Sequence, residues 1–161
     1  LQGAVNGELT EDAQADCDLI LIAVYPRAAV EYLQNTTGNV LIATGSKELK
    51  EYTRIAGYKE RCYARVLSTQ VSVEESIRLG FEGRHLIAMQ GPFSAEMNQA
   101  HLREYNCRFL VTKDGGKTGG FEEKLKGAQE AGAEVLVIRR PFDQGISLEA
   151  VIREVKEWKN S

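Results

Sequence analysis

Glycine, lysine and threonine concentrate in one stretch of the chain, the segment FLVTKDGGKTGGFEEKL at residues 109–125. Glycine lets a backbone approach a ligand closely, and the N-terminus of a helix presents unpaired N–H groups with a partial positive charge. Lysine adds a full positive charge, and threonine adds a hydroxyl donor. Such a segment, between an apolar run and a helix-like run, indicates an anion-binding loop, with a flexible surface turn as the alternative.

The well-known phosphate loops do not explain this segment. A Walker A loop needs a glycine five residues before Gly116, and Val111 occupies that position. The dinucleotide fingerprint GxGxxG fails in both possible registers, because one of its glycines would fall on Lys117 or on Asp114. The spacing therefore indicates the chemical type of the ligand, an anion, without assigning the loop to either motif.

Two other segments have the same polar, glycine-containing character, ATGSKEL at 43–49 and AMQGPFSAE at 88–96. In the second, Pro92 fixes φ beside the freely turning Gly91, and Phe93 either stacks on a flat ligand ring or packs as a hydrophobic staple. Together the loops offer charges and hydroxyls suited to a phosphate-bearing ligand such as a nucleotide. These come from Lys47, Lys113, Lys117, Lys124, Thr44, Ser46, Ser94, Thr112 and Thr118.

Apolar runs, each followed by a run with helical spacing, must position these loops. Continuous apolar runs are typical of strands buried on both faces, and regular strand–helix alternation predicts right-handed crossovers in a parallel sheet. The predicted fold is α/β, a parallel sheet of about five or six strands flanked by helices in a Rossmann-like three-layer sandwich. The predicted strands are Leu19–Val24, Asn39–Gly45, Cys62–Leu67, His85–Gly91, Phe109–Asp114 and Glu134–Pro141. The runs predicted as helices include SKELKEYTRIAG at 46–57, after the second strand, and SLEAVIREVKEW at 147–158, after the sixth.

The polar loops all follow strands of this predicted sheet. Ligands of open parallel sheets bind beyond the carboxyl ends of the strands, so the loops are expected to converge on one edge. Ser46, Ser72 and Ser94 are predicted to cap the helices that follow. His85 begins a strand, at the wrong end of the sheet for chemistry, and His101 lies inside a predicted helix. Both histidines are therefore expected to be structural.

The composition of the 161 residues excludes several classes of function. The net charge of -3 gives no general attraction to nucleic acid or acidic lipid, and no apolar run approaches the roughly 20 residues of a membrane span. Cys17, Cys62 and Cys107 are widely spaced, which predicts reduced thiols in a cytoplasmic protein and no metal site. Residues 1–18 are expected to be a linker or upstream tail, and residues 19–161 a single domain.

At these loops the sequence resembles the precorrin-6A reductases, including the cobalt-precorrin-6A reductases of the anaerobic vitamin B12 route. The matching segments are TGSKEL, ARVL, IAMQGPFSAEMN, LVTKDGGKTGGFEEKL and VIRRP, which occur in the family's order from about Val30 to Pro141. In the family this loop more often reads TKDSG. Gly115 therefore occupies the position of a serine, and the hydroxyl donor of that serine is missing. The family's amino-terminal lobe has no counterpart in these residues, so the chain is expected to be the carboxyl-terminal lobe.

The resemblance implies a reductase that uses NADPH, or NADH, to reduce one double bond of a corrin-precursor macrocycle in a cleft between two α/β lobes. A flat tetrapyrrole rich in carboxylates is the implied partner, with no nucleic acid and no membrane, and a monomer is expected. Lys113, Asp114 or water would deliver the proton, and the lobe alone is not expected to be fully active. The implied cofactor-facing residues are Thr44, Gly45, Ser46, Lys47, Gln90, Gly91, Pro92, Phe93, Ser94, Thr112, Lys113, Asp114, Gly115, Gly116, Gly119 and Gly120.

Two other functions stay open on the sequence. The first is a non-catalytic module that binds a nucleotide or phosphate. The second is a tetrapyrrole lyase on a similar two-lobed scaffold, which would need no nicotinamide. The module would bind a nucleotide without reducing anything, and dependence of tetrapyrrole turnover on NADPH separates the reductase from the lyase.

Overall fold

One sheet runs through the residues that the computed structural model describes, 10–11, 20–23, 25–115 and 119–139. Its strands are β1 (Thr10–Glu11), β2 (Ile20–Ala23), β3 (Asn39–Ala43), β4 (Cys62–Val66), β5 (Leu86–Ala88), β6 (Cys107–Lys113) and β7 (Glu134–Ile138). They lie in the order β1-β2-β7-β6-β3-β4-β5, and β1 pairs antiparallel with β2 while the other described pairs are parallel. The predicted α/β fold with a parallel sheet is confirmed, and β1 lies within the segment predicted as a linker.

Helices alternate with the strands as the sequence predicts, with one exception. They are α1 (Pro26–Gln34), α2 (Leu49–Tyr52), α3 (Tyr58–Arg61), α4 (Gln70–Arg78), α5 (Ala95–Glu104) and α6 (Phe121–Ala131), with 3-10 turns at Ser46–Glu48 and Gly83–His85. The single helix predicted over SKELKEYTRIAG is wrong, because α2 ends early and α3 follows it separately. The Thr53 hydroxyl donates to the Lys50 carbonyl at 2.8 Å, and Gly57 adopts the left-handed conformation. The helix predicted over SLEAVIREVKEW lies outside the described residues.

Helices cover both faces of the sheet, and alternate residues of a strand pack on opposite sides. Val40 and Ile42 of β3 belong to one core cluster, which includes residues of α1 and α2. Leu41 belongs to a second cluster, which includes residues of α5 and α6. All three side chains are 1% exposed or less. This two-sided burial explains why the strand reads as a continuous apolar run.

Strands β3 and β6 are neighbours whose connections leave toward opposite faces of the sheet. The helix after β3 packs in the first core cluster, and the helix after β6 packs in the second. Right-handed crossovers require this, because β3 continues to β4 on one side whereas β6 continues to β7 on the other. Loops that part in this way leave a crevice at the carboxyl ends of the strands, the usual ligand position in this type of sheet.

Of the predicted helix caps, only that of Ser94 is confirmed. Its hydroxyl oxygen accepts the N–H of Met97 at 3.2 Å. The caps predicted at Ser46 and Ser72 are wrong, because the Ser46 hydroxyl donates to the Ser72 hydroxyl at 3.2 Å and Thr69 is the residue that caps α4. The alternative hydroxyl partners of these serines outweigh their preference for capping.

The cysteines behave as the sequence predicts within the described part of the chain. Cys62 and Cys107 are buried and free. Burial raises the pKa of each thiol to about 12, so both stay protonated and unreactive at neutral pH. Cys17 lies outside the described residues.

Candidate functional site

The polar loops meet at the carboxyl ends of the parallel strands, around an open cleft of about 450 Å³. Thr44 and Gly45 line it from the loop after β3, residues 90–93 from the loop after β5, and Gly119 from the loop after β6. The side chain of Lys124, in the second turn of α6, also lines it. The predicted convergence of these three segments on one edge is therefore confirmed.

The other predicted site residues lie at the same end of the sheet but not in the lining. Thr112 is fully buried within β6. Lys113 Nζ lies 2.8 Å from Glu48 Oε1, and Asp114 Oδ2 lies 3.5 Å from Arg139 Nε. The remaining ones are Ser46, Lys47, Ser94, Gly115 and Gly120, and Gly116, Lys117 and Thr118 lie outside the described residues.

Gly45 keeps the backbone of the first loop open to the cleft. Its φ of 88° lies in the left-handed region, which disfavours any residue with a Cβ. A Cβ atom built on it would meet nothing within 4 Å, so there is free space above this backbone. The loop therefore presents bare main chain at a point where a ligand can approach it.

A buried polar cluster lies beneath this loop. Thr44 Oγ1, Glu48 Oε2 and the Tyr52 hydroxyl are buried and lack a hydrogen-bond partner among the described residues. Burial raises the pKa of Tyr52, and the Glu48 carboxylate raises it further, while the Thr44 hydroxyl opposes both. The Thr44 hydroxyl thus points away from solvent and toward the protein interior, so its backbone is the part available to the cleft.

The most unusual side chain in the lining is Arg65, which is only 5% exposed at the end of β4. Its Nη2 donates to Asn98 Oδ1 at 2.8 Å, and its Nη1 lies 3.2 Å from His101 Nδ1. Because a guanidinium can only donate, Nδ1 is the acceptor and the His101 ring is the neutral tautomer protonated at Nε2. The guanidinium carbon also lies 4.5 Å from the centre of the Phe93 ring. Arg65 is thus held by neutral partners and an aromatic face.

Burial and mutual repulsion perturb the cations of the cleft. Burial lowers the pKa of Arg65 to about 10, which still leaves it charged at neutral pH. Burial, and then repulsion from Arg65, lower the pKa of Lys124, while Glu123 opposes the change. Burial, and then Arg65, also lower the pKa of His101. These shifts show two cations close together with little compensating negative charge.

Asn98 connects this arrangement to the helix packing behind it. Its Nδ2 donates to the Ser94 carbonyl at 2.8 Å, which fixes the amide so that its oxygen faces Arg65. Helices α5 and α6 approach closely at Gly127, where a Cβ would lie 2.6 Å from both the Ala95 carbonyl oxygen and Asn98 Cβ. The Arg65 position therefore depends on a close contact between two helices on one face of the sheet.

Sequence reasoning missed Arg65, although it named Lys124 and Phe93. The run CYARVL was interpreted only as a buried strand. Its one charged residue, Arg65, is the feature that could have indicated a functional site. Within the chain, the Phe93 ring packs edge-on against His101 and carries Arg65 on a face. Whether it also contacts a ligand ring stays a prediction.

Both histidines have hydrogen-bond partners within the chain. His85 Nδ1 lies 3.0 Å from the Cys62 carbonyl oxygen, at the amino end of β4 and far from the cleft edge. His101 positions Arg65. The described residues hold no group of three or more His, Cys, Asp and Glu side chains arranged for a metal ion. None of the helices in the described ranges is long and apolar enough to cross a bilayer.

Curated relatives of the chain are cobalt-precorrin-6A reductases. The protein of Methanocaldococcus jannaschii is 41% identical over 137 residues, 85% of this chain and 53% of the relative. That of Methanothermobacter thermautotrophicus is 44% identical over 98 residues, 61% of this chain and 32% of the relative. That of Salmonella typhimurium is 35% identical over 114 residues, 70% of this chain and 43% of the relative. The chain thus spans about half the length of the relatives it matches, or less.

A solved structure of a CobK precorrin-6A reductase has a similar fold. Its TM-score is 0.63 at 22% sequence identity, over 91% of this chain and 58% of that one. The family model described as precorrin-6x reductase CbiJ/CobK matches residues 8–159. This match covers nearly the whole chain, and the chain therefore belongs to the precorrin-6x reductase family.

Proposed function

We propose that the protein to which this chain belongs uses NADPH to reduce one double bond of the precorrin-6A macrocycle, in cobalamin biosynthesis. Family membership and the names of the curated relatives support the reaction. The observation that carries the proposal for this chain is the single cleft that the three glycine-containing loops form at the carboxyl ends of the strands. Since the chain spans about half of its relatives, the activity belongs to the whole protein.

The residues present fit a nicotinamide dinucleotide. Gly45 offers accessible backbone with free space above it, and Gly91 and Gly119 also lie in the lining. Glycines at such points let main-chain N–H groups come within hydrogen-bonding distance of phosphate oxygens. The TGSKEL, QGPFS and TKDGGKTGG segments would hold the cofactor, as the family resemblance implies, with direct contact from their cleft-lining members. When bound, the nicotinamide supplies a hydride.

This chain's own residues bind and orient rather than form a covalent intermediate. Among the described residues, the cleft lining includes neither a cysteine nor a serine as a nucleophile, and no His, Cys, Asp and Glu side chains are grouped as metal ligands. Holding two reactants in contact is by itself a large catalytic effect. The product also needs a proton. Lys113 and Asp114 remain the proposed donors, and since both lie outside the lining in ion pairs, a water would relay the proton.

The test blocks the cleft without changing any charge. In the full protein, Gly45→Val places a side chain in the free space beside the cleft, and we expect at least about a tenfold loss of NADPH affinity. Gly132→Val is the matched control, because Gly132 also has a positive φ and open surroundings but ends α6, away from the cleft. NADPH binding is measured by calorimetry and turnover by the loss of nicotinamide absorbance with precorrin-6A.

Three outcomes would contradict the proposal. Equal effects of the two valine variants would show that backbone strain, and not the cleft, matters. Nucleotide binding without any reduction of the macrocycle would support the non-catalytic module. Macrocycle turnover that does not depend on a nicotinamide would support the lyase.

We also propose that the protein acts as a monomer in the cytoplasm. Two buried thiols without disulfides, Cys62 and Cys107, suit a reducing compartment. Light scattering of the purified protein tests the monomer, and fractionation of the source cells tests the compartment.

A further inference from the structure

We propose that Arg65, together with Lys124, binds an anionic oxygen group of the ligand, a carboxylate or a phosphate, at the floor of the cleft. Both side chains line the cleft, and they come from different elements, the end of β4 and the second turn of α6. Arg65 lies outside the glycine-containing loops that were expected to hold the ligand, and Lys124 lies in the helix that follows one of them.

The partners of Arg65 are the first argument. A buried charge is costly unless it is paired, and a buried arginine is usually paired with a carboxylate. Here the described residues place no carboxylate at salt-bridge distance from Arg65, and its bonds go to the neutral Asn98 and His101. These bonds use two of the five N–H donors of a guanidinium. The side chain is thus desolvated by the protein and left charged toward the cleft.

The neighbouring lysine is the second argument. Lys124 also lines the cleft, is half-buried and has no ion pair among the described residues. Its proximity to Arg65 is repulsive, and the nearby Glu123 only partly offsets the repulsion. An anion between the two would relieve the repulsion and complete the hydrogen bonding of both. Two cations that line one cleft, one of them a rigid planar fork, suit the oxygens of a carboxylate or phosphate.

The rigidity of the arrangement is the third argument. Asn98 is only 1% exposed, and its amide is fixed by the Ser94 carbonyl, so it holds the guanidinium in one orientation. Phe93 covers one face of the guanidinium. A cation held this firmly before the ligand arrives loses little conformational entropy on binding, which increases affinity.

Both ligands of the proposed reaction carry such groups. A corrin precursor carries carboxylates around a flat ring, and a nicotinamide dinucleotide carries phosphates. Assigning the group to one of them rests on the proposed function, but binding of an anion by Arg65 and Lys124 does not. The experiment therefore uses one probe of each chemistry and needs no turnover.

Inorganic pyrophosphate and uroporphyrin, a tetrapyrrole with carboxylate side chains, are titrated into the wild-type protein and four variants. Arg65→Met and Lys124→Met remove the proposed contacts. Arg65→Lys keeps the charge without the planar fork. Lys126→Met is the matched control, since it removes the same charge from an exposed position of the same helix. Urea unfolding of each variant confirms that it is folded before binding is measured.

We expect Arg65→Met and Lys124→Met each to lower the affinity for one of the two probes by about tenfold. Arg65→Lys should lower it by an intermediate amount, and Lys126→Met should change it by less than about twofold. Loss confined to uroporphyrin assigns the site to a carboxylate, and loss confined to pyrophosphate assigns it to a phosphate. If Arg65→Met does not fold, Lys124→Met alone decides the result.

The inference is overturned if the wild-type protein binds neither probe, or if the cleft variants and Lys126→Met lose affinity equally. Failure of NADPH binding or of reductase turnover would overturn the proposed function and leave this result unaffected. The two proposals can therefore fail separately.

Discussion

Two groups of cations at the same end of the sheet differ in how their charge is balanced. At the end of β6, Lys113 pairs with Glu48 at 2.8 Å, and the adjoining Asp114 pairs with Arg139 at 3.5 Å. At the end of β4, Arg65 has only neutral partners, and Lys124 has no ion pair among the described residues. The first group is neutralised by the protein's own acids, and the second is not.

The difference shows that the number of lysines in a loop does not locate an anion site. A cation already paired with a carboxylate gains little from a second anion, whereas a buried cation without a carboxylate gains much. The composition of the glycine-rich loop suggests an anion site, yet Lys113, its lysine within the described residues, is paired with Glu48. Among the described residues of the cleft lining, the positive charge lies on a strand and on a helix, at Arg65 and Lys124.

The largest effect should come from Gly127, which allows α5 and α6 to approach and so places Asn98 under Arg65. A Cβ at this position would lie 2.6 Å from backbone, so Gly127→Ala must push the helices apart. We expect a loss of about 1–3 kcal/mol in the free energy of unfolding, larger than the gain in helix propensity. Urea denaturation measures it, with Gly119→Ala as control because its Cβ meets nothing within 4 Å. Unchanged stability would contradict a close contact between α5 and α6 at Gly127.

Asn98→Asp should give Arg65 a carboxylate partner, which Lys113 already has. A carboxylate in place of the amide would pair with the guanidinium and compete with a ligand anion. We expect about a tenfold loss of affinity for the probe that Arg65 binds. Asn98→Ala is the control, since it removes the same hydrogen bond without adding a charge and should weaken binding less. An equal loss in both variants would attribute the effect to geometry rather than to charge.

Lys113→Met tests the other side of the comparison. Since both partners are about one-third exposed, at 33% and 30%, loss of the ion pair should reduce stability by less than about 1 kcal/mol. The affinity for NADPH should fall by about twofold at most, because the charge removed is already balanced by Glu48. Glu48→Gln removes the charge of the acidic partner in the same ion pair. A tenfold loss of affinity in Lys113→Met would show that this lysine leaves Glu48 and binds the ligand.

The smallest effect should be a pH dependence that arises at His101. Burial, and then Arg65, lower its pKa, so the folded state keeps a neutral ring where the unfolded chain already binds a proton. Stability is thus unaffected above the unfolded pKa of about 6.5, and it falls as the pH drops from there toward the lower folded value. Between about pH 7.5 and about pH 5.5, wild type should lose more stability to urea than His101→Gln. Parallel losses in the two proteins would contradict the shift.

Much of the fold could be predicted from the sequence, because burial on both faces leaves a signature in each strand. The strand at Asn39–Ala43 was found from its apolar run alone, and its alternate residues pack in two separate cores. The helix predicted over residues 46–57 was wrong for a local reason, since Thr53 and Gly57 end helical hydrogen bonding there. Strand order was not predictable, because every apolar run reads alike.

The site was only partly predictable. Its loops were found because glycine and polar residues after a strand are visible along the chain, and Thr44, Gly45 and Gln90 do line one cleft. Arg65 was missed because its meaning depends on what surrounds it. The same arginine would be an ordinary ion-paired residue if Asn98 were an aspartate.

By itself, the sequence determined that this is an α/β protein of parallel strands with polar, glycine-containing loops at their carboxyl ends, because hydrophobic periodicity and loop composition are local properties of the chain. Only the tertiary structure decided which cations stay unbalanced. Charge compensation depends on neighbours distant in sequence, such as Lys113 with Glu48 and Arg65 with Asn98, and folding alone brings them together.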